Sequence, residues 1–280
     1  MPELPFRLGY NTNGFAHHRL DDALRIIAEL GYRAVALTPD ANHLPPDRTS
    51  AAELRATRAL LEELDLAVVV ETGARYVLDA RRKHFPTLID GNPADRARRA
   101  AFLERCARIA SELGGNTISL WSGIPAPDLA RDDAWRWLVD GVGALCNGLT
   151  PLGIQVAFEP EPGMLLQTLG EWEQLRDAVA APNFGLALDV GHVPCTETIS
   201  AGDAIRRYGA AIRTVHLDDT RNGVHEHLQI GDGALDWADI MRALGEVGFR
   251  GIASVELSRH SHAAPTAART AIERLTKAAA

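Results

Sequence analysis

The chain has 280 residues, 46% of them apolar, 24% charged and 6% aromatic, enough to bury one large core and too apolar to stay disordered. Lys and Arg number 29 against 37 Asp and Glu, a net charge of −8, which disfavours nucleic acid and anionic membranes as partners. No apolar run approaches the roughly 18 residues of a membrane helix, and the N-terminus MPELPFRLGY has neither the basic nor the apolar stretch of a signal. Cys106, Cys146 and Cys195 form no CxxC pair and are odd in number, so the expectation is a cytoplasmic chain without a disulfide framework.

Eight short apolar or β-branched runs recur at intervals of about 35 residues, each followed by a polar turn and a stretch of helical periodicity. In chain order they are Phe6 to Thr12, Ala34 to Asp40, Ala67 to Gly73, Thr117 to Gly123, Ile154 to Pro160, Phe184 to His192, Ile212 to Asp219 and Gly251 to Ser258. The first leads into Gly9-Tyr-Asn-Thr-Asn-Gly14, which has neither GxGxxG nor GxxxxGK[ST] spacing, so no phosphate loop is expected there. The segment Leu20 to Leu30 has helical periodicity and stops at Gly31; Gly114, Gly153 and Gly248 are similar stops. Runs such as AVAL, AVVV, GLAL and GIASV are nearly continuous, as in strands of a parallel sheet covered on both faces.

Eight βα units in a chain of this length predict an α/β fold of the (β/α)8 TIM-barrel type, one domain over residues 1–280. A doubly wound open sheet, the main competitor, normally carries fewer strands and often a Gly-rich phosphate loop. Two βα loops are long, 74–92 and 217–234, and long loops in a compact barrel are more often functional than decorative. The Ala-rich C-terminus reads as a last helix that frays.

In such a barrel, catalytic groups gather at the C-terminal ends of the strands. All ten histidines fall there or in the loops that follow: His17, His18, His43, His84, His192, His216, His225, His227, His260 and His262. Glu159 ends the fifth strand, Asp189 the sixth and Glu256 the eighth, and His216 ends the seventh. Charged groups after apolar runs are costly to bury unless paired, solvated or bound to metal. Three carboxylates and one imidazole suit Mn2+, Mg2+ or Co2+ and are compatible with Zn2+. Glu161 would point the same way as Glu159 if the strand continued through Pro160 and Pro162. His192 is a candidate substrate contact or partner of a ligand, with a turn-stabilising role as the bland alternative. Arg75, Arg81, Arg82, Lys83 and Arg259 put cations around the same mouth, suited to a phosphate or carboxylate; a solvated loop over 75–84 explains them equally well. Trp121 is a candidate wall against a sugar ring, although a Trp at a strand end is more often core, and Trp135 and Trp137 read as packing or oligomer contacts.

The segments Phe158-Glu-Pro-Glu-Pro-Gly163, Leu188-Asp-Val-Gly-His192, Thr214-Val-His-Leu-Asp218, His225-Glu-His-Leu-Gln-Ile-Gly-Asp-Gly233 and Val255-Glu-Leu257 resemble the xylose isomerase-like TIM-barrel superfamily over essentially the whole chain. That superfamily includes sugar phosphate isomerases and epimerases, inosose dehydratase and, more distantly, endonuclease IV. The resemblance implies one divalent metal ion on Glu159, Asp189, His216 and Glu256, with Glu159 and Glu256 doubling as the acid/base pair, and no organic cofactor. It implies proton abstraction α to a carbonyl, through a metal-stabilised enediolate, in a small sugar, cyclitol or sugar phosphate. Glu71, Trp121, Glu161, His192, His225, His227 and Arg259 are the expected substrate contacts. His227 lies where endonuclease IV-like members place further zinc ligands, which leaves a second metal open, as is a homo-oligomer. Glu71-Thr-Gly and Trp121-Ser-Gly stand where those members have further histidines, so a phosphodiesterase ranks behind a dehydratase-like lyase and a non-catalytic metabolite-binding barrel.

Overall fold

The computed structural model describes residues 4–280, and each of the eight apolar runs becomes one stave of a closed parallel barrel. The strands are β1 (Arg7–Asn11), β2 (Ala34–Leu37), β3 (Ala67–Glu71), β4 (Thr117–Leu120), β5 (Gln155–Phe158), β6 (Phe184–Asp189) and β7 (Ile212–Leu217). A two-stranded antiparallel hairpin follows, β8 (Asp219–Arg221) and β9 (Val224–Leu228), before the last stave, β10 (Ile252–Val255). Around the barrel the order is β1-β10-β7-β6-β5-β4-β3-β2. Closure comes from β1 against β10, with Arg7 opposite Ile252 and Tyr10 opposite Val255.

The helices are α1 (Leu20–Glu29), α2 (Ala51–Glu63), α3 (Pro93–Glu112), α4 (Arg131–Leu149), α5 (Leu169–Val179), α6 (Val193–Thr196), α7 (Ala201–Tyr208), α8 (Trp237–Glu246) and α9 (Ala264–Ala278). Local chemistry marks their ends. Ser50 with Glu53 and Thr168 with Glu171 close reciprocal capping boxes on α2 and α5, and Asn92 caps α3 with Pro93 in its first turn. Gly31, just past α1, has φ 101°, a left-handed exit that favours glycine.

Two segments differ from the sequence reading. Part of the long 217–234 loop is the β8–β9 hairpin, turning through Asn222 and Gly223 at φ 57° and 67°. The C-terminal helix is packed rather than frayed: Ala267, Ala268, Ala271, Ile272 and Leu275 are buried, and Tyr32 donates its hydroxyl to Ala268 O at 2.8 Å. Alanine is frequent there because small side chains let the helix lie close to its neighbours. The three cysteines are free, and among the described residues no helix is long and apolar enough to cross a membrane.

Trp172 on α5 ties the helical layer to the barrel. Its ring lies nearly parallel to Phe184 of β6 and edge-on to Tyr208 of α7, and its indole N–H donates to Gly185 O at 3.3 Å. Trp172→Ala removes a fully buried ring and is expected to cost about 3–5 kcal/mol, read from urea unfolding; an unchanged midpoint would contradict this packing role.

Candidate active site

Four neighbouring staves, β5, β6, β7 and β10, deliver the polar cluster. In the ladder Asp189 stands opposite His216, and His216 opposite Ser254, two residues before Glu256. Glu159 and Glu256 extend the ladder by donating their backbone N–H to Leu120 O at 2.8 Å and Leu217 O at 2.9 Å. Parallel register therefore aims all four side chains at one point above the barrel core. His216 Nδ1 is 3.0 Å from Glu159 Oε1 and 3.2 Å from Glu256 Oε2. Asp189 Oδ1 accepts from Gly191 N at 2.7 Å and His192 N at 3.3 Å. Its Oδ2 is buried with no hydrogen-bond partner among the described residues, although His192 Nε2 stands 3.4 Å away. One ligand atom from each of Glu159, Asp189, His216 and Glu256 lies within 4.8 Å of the others.

Burial raises Asp189 well above the usual carboxylate range, with Asp218 beside it adding to the effect. Burial also raises Glu159, and His216 partly offsets it. On Glu256 burial acts upward too, but His216, His227 and the hydrogen bond from Asn13 Nδ2 at 2.8 Å outweigh it and leave the group lowered. His216 loses charge stability to burial, yet Glu159 and Glu256 push it up to about 10. A buried, unpartnered carboxylate oxygen within a set of three carboxylates and one imidazole fits a divalent cation of the oxygen-preferring kind.

A second cluster adjoins the first. His225 Nε2 is 3.0 Å from His192 Nε2 and 2.9 Å from His227 Nε2. His192 Nδ1 faces Pro160 O at 3.1 Å, and His227 Nδ1 abuts Asp218. Both contacts call for a hydrogen on Nδ1; burial keeps His192 neutral with its Nε2 lone pair inward, whereas on His227 burial is outweighed by Asp218, which raises it to about 9. These three residues could hold a further ion. Glu161 flanks them, its Oε1 3.7 Å from His225 Nε2 and its Oε2 3.9 Å from His192 Nε2. Despite the two prolines, Glu161 and Glu159 line the same cavity.

That cavity, about 250 Å3, opens above the cluster. Of the expected substrate contacts, Glu71, Trp121, Glu161, His225, His227 and Arg259 line it, while His192 lies buried beside it. Thr38 Oγ1 touches both Asn11 Oδ1, at 2.7 Å, and Glu71 Oε2, at 2.8 Å. With one hydroxyl hydrogen it can donate to only one of them. Burial and then Glu256 raise Glu71 to about 7, so a protonated Glu71 donating to Thr38 satisfies both contacts. Trp121 meets His84 edge-on, with Arg99 buried behind it, 4.8 Å from the ring. A larger concavity, about 1020 Å3, lies at the opposite end of the barrel. Arg7 pairs with Asp65 and Arg58 with Glu62, Arg213 donates to Gln155 Oε1 and Ala210 O, and the concavity gathers no comparable set of carboxylates and imidazoles.

The ten histidines divide. His84, His192, His216, His225 and His227 belong to the cavity or its floor. His43 is buried elsewhere with Nε2 3.0 Å from His18 O, and His17, His18, His260 and His262 do not line the cavity. The basic loop divides as well: Arg75, Lys83 and His84 line the cavity, whereas Arg82 pairs with Asp79 at the surface. Trp135 packs on the core and Trp137 lies under Arg96. Sequence reasoning missed Asn13, Thr38 and Asp218. Two asparagines directly after an apolar strand, and the second acid in Thr214-Val-His-Leu-Asp218, were the available signals.

Fold and site together define a (β/α)8 barrel with a candidate metal centre at its C-terminal mouth. The chain belongs to the xylose isomerase-like TIM-barrel family, whose model matches residues 24–278. It is similar to D-psicose 3-epimerase of Enterocloster bolteae, 33% identical over 105 residues, 38% of this chain and 33% of that one. It is also similar to inosose dehydratase of Lacticaseibacillus casei, 26% identical over 145 residues, 45% of this chain and 47% of that one. The matched stretches thus span a third to a half of these relatives. The crystal structure of the IolI protein with a bound zinc atom superposes with a TM-score of 0.79 at 18% identity, covering 98% of each chain, a likeness of fold.

Gly191 lies between Asp189 and His192, and a Cβ there would collide with Asp218 Oδ1. Gly191→Ala is expected to displace this buried turn and cost about 1–3 kcal/mol, measured by chemical denaturation. Full stability would show that the turn has room to spare.

Proposed function

We propose that the chain is a divalent-metal-dependent isomerase or epimerase of a small sugar, cyclitol or sugar phosphate. The observation that carries this reading is the convergence of Glu159, Asp189, His216 and Glu256, including the unpartnered Asp189 Oδ2, beneath one cavity. These four side chains would hold the ion. When bound, it supplies Lewis-acid polarisation of a carbonyl and its neighbouring hydroxyl and stabilises developing negative charge.

Glu159 and Glu256 approach the cavity from β5 and β10, with β6 and β7 between them. Glu256, lowered by His216, His227 and Asn13 against the effect of burial, is the base that takes the proton α to the carbonyl. Glu159, raised by burial, is the group that returns a proton. Return to the opposite face of the same carbon gives epimerisation, and return to the adjacent carbon gives isomerisation. Glu71, Glu161, His192, His225 and His227 supply hydrogen bonds to hydroxyls, and Trp121 is an apolar wall for the ring.

A second reading is dehydration, favoured by the similarity to inosose dehydratase: the same base takes the α-proton and a β-hydroxyl leaves. An enone or diketone absorbance in the product distinguishes elimination from isomerisation.

Solvent deuterium entering the α-carbon of a turned-over ketose or inosose tests the proposal. Glu256→Gln that keeps its metal should lose about 10²- to 10⁴-fold in exchange rate; full exchange by the metallated variant removes Glu256 from the role. Metal binding should also expel the proton that Glu159 and Glu256 hold on His216. Below about pH 10 affinity then rises with pH, about tenfold per unit for one proton. Titrating Mn2+ in two buffers of different ionisation enthalpy at pH 7.5 should reveal at least one proton released; no release contradicts His216 as a ligand.

A further inference from the structure

Three cations line the cavity. Arg75 and Lys83 come from the loop after β3, and Arg259 from the turn after β10. Arg75 is already matched, its Nε and Nη2 donating to Asp40 Oδ2 at 3.1 and 2.7 Å. Lys83 and Arg259 make no ion pair within 4.0 Å among the described residues. The carboxylates of the floor have other partners: His216 lies against Glu159 and Glu256, and Thr38 against Glu71. Burial and then Arg75 and Arg259 hold Lys83 below its usual range, so the like charges stand close enough to repel one another. Glu161 and Glu256 offset part of that repulsion, but neither comes within 4.0 Å of Lys83 or Arg259, and a bound anion in direct contact would relieve the remainder.

The loop carrying Lys83 is anchored. Asp79 Oδ1 accepts from the backbone N–H of Arg81 and Arg82, at 2.8 and 3.1 Å, and its Oδ2 from Arg82 Nε at 2.7 Å. His84 Nδ1 donates to Gly73 O at 2.6 Å, and its ring meets Trp121. Arg98 is bonded to Leu78 O. Lys83 therefore sits between a self-bonded turn and a histidine fixed to the end of β3, which limits the side-chain entropy lost on capturing a ligand. Arg259 Nη2 reaches His225 O at 3.5 Å, which leaves most of its guanidinium donors unused.

We infer that Lys83 and Arg259 seat an anionic substituent, a phosphate or a carboxylate, of a substrate held in the cavity above the Glu159–Asp189–His216–Glu256 cluster. The inference rests on the small-sugar reading of the same cavity and narrows it from polyhydroxylated compounds in general to anionic ones. Arg75, matched by Asp40, contributes field rather than a free donor.

Calorimetric titration of the metal-loaded protein with D-fructose, D-fructose 6-phosphate and D-fructuronate tests this without requiring turnover. One of the two anionic sugars should bind at least about tenfold more tightly than D-fructose in low salt, and the advantage should shrink as salt is added. Which of them gains identifies the anion. The ratio should fall to near one in Lys83→Met/Arg259→Met and persist in Lys83→Arg. Inorganic phosphate alone should raise the melting temperature of the wild type and leave that of the double variant unmoved, a readout that survives if the sugar reading fails. The inference is overturned if neither an anionic sugar nor inorganic phosphate shows a wild-type effect, or if the effect persists in the double variant.

Discussion

Placing three carboxylates around one imidazole in a buried barrel mouth is unfavourable unless something neutralises them. Glu159, Asp189 and His216 are almost completely buried, and Glu256 is only slightly more open. The rest of the site depends on that constraint. Among the side chains themselves, His216 answers it by holding a proton between Glu159 and Glu256, while Asp189 keeps one oxygen without a partner. A divalent cation satisfies all four at once, which is why the cluster carries the functional reading more strongly than any single residue in it.

The barrel supplies convergence at little cost in specificity of loops. Asp189 and His216 are ladder partners, and Glu159 and Glu256 sit one residue past the staves on either side. Their positions follow from strand register, which is rigid and buried. Supporting residues then set what each member does. Asn13 reaches across from the first βα loop to Glu256, the turn through Gly191 fixes Asp189, and Asp218 orients His227. Beyond this floor the cavity is lined by imidazoles and Glu161 together with Arg75, Lys83 and Arg259, with Arg259 reaching His225 O. A sugar in this cavity would meet both hydroxyl-binding groups and cations.

The eight staves were legible because strands covered on both faces read as continuous apolar runs with glycine stops between them, as in AVAL before Thr38 and GLAL before Asp189. The cluster was legible for a related reason: a charge that directly ends such a run has little choice of location. The loops were harder. His84 lines the cavity because its backbone adopts φ 71° and its ring bonds Gly73 O, neither of which a residue pattern announces. Lys83 and Arg82 are adjacent in sequence, yet one faces the cavity and the other pairs with Asp79. The same limit explains why ten histidines on one rim yielded five at the site: strand order places a loop at the mouth, but loop conformation decides where each ring points. The hairpin after β7 was hidden for want of strong alternation in a short polar stretch.

Asp189 offers the most direct measurement, because it belongs to the four-residue cluster without taking part in proton transfer. Equilibrium binding of Mn2+, Co2+ and Zn2+ to the wild type and to Asp189→Ala would isolate the metal claim from every question of substrate. The wild type should bind an ion at this site, and the variant should lose at least about 10²-fold in affinity with folding retained. No divalent ion bound by the folded wild type, or unchanged affinity in Asp189→Ala, would contradict the metal claim.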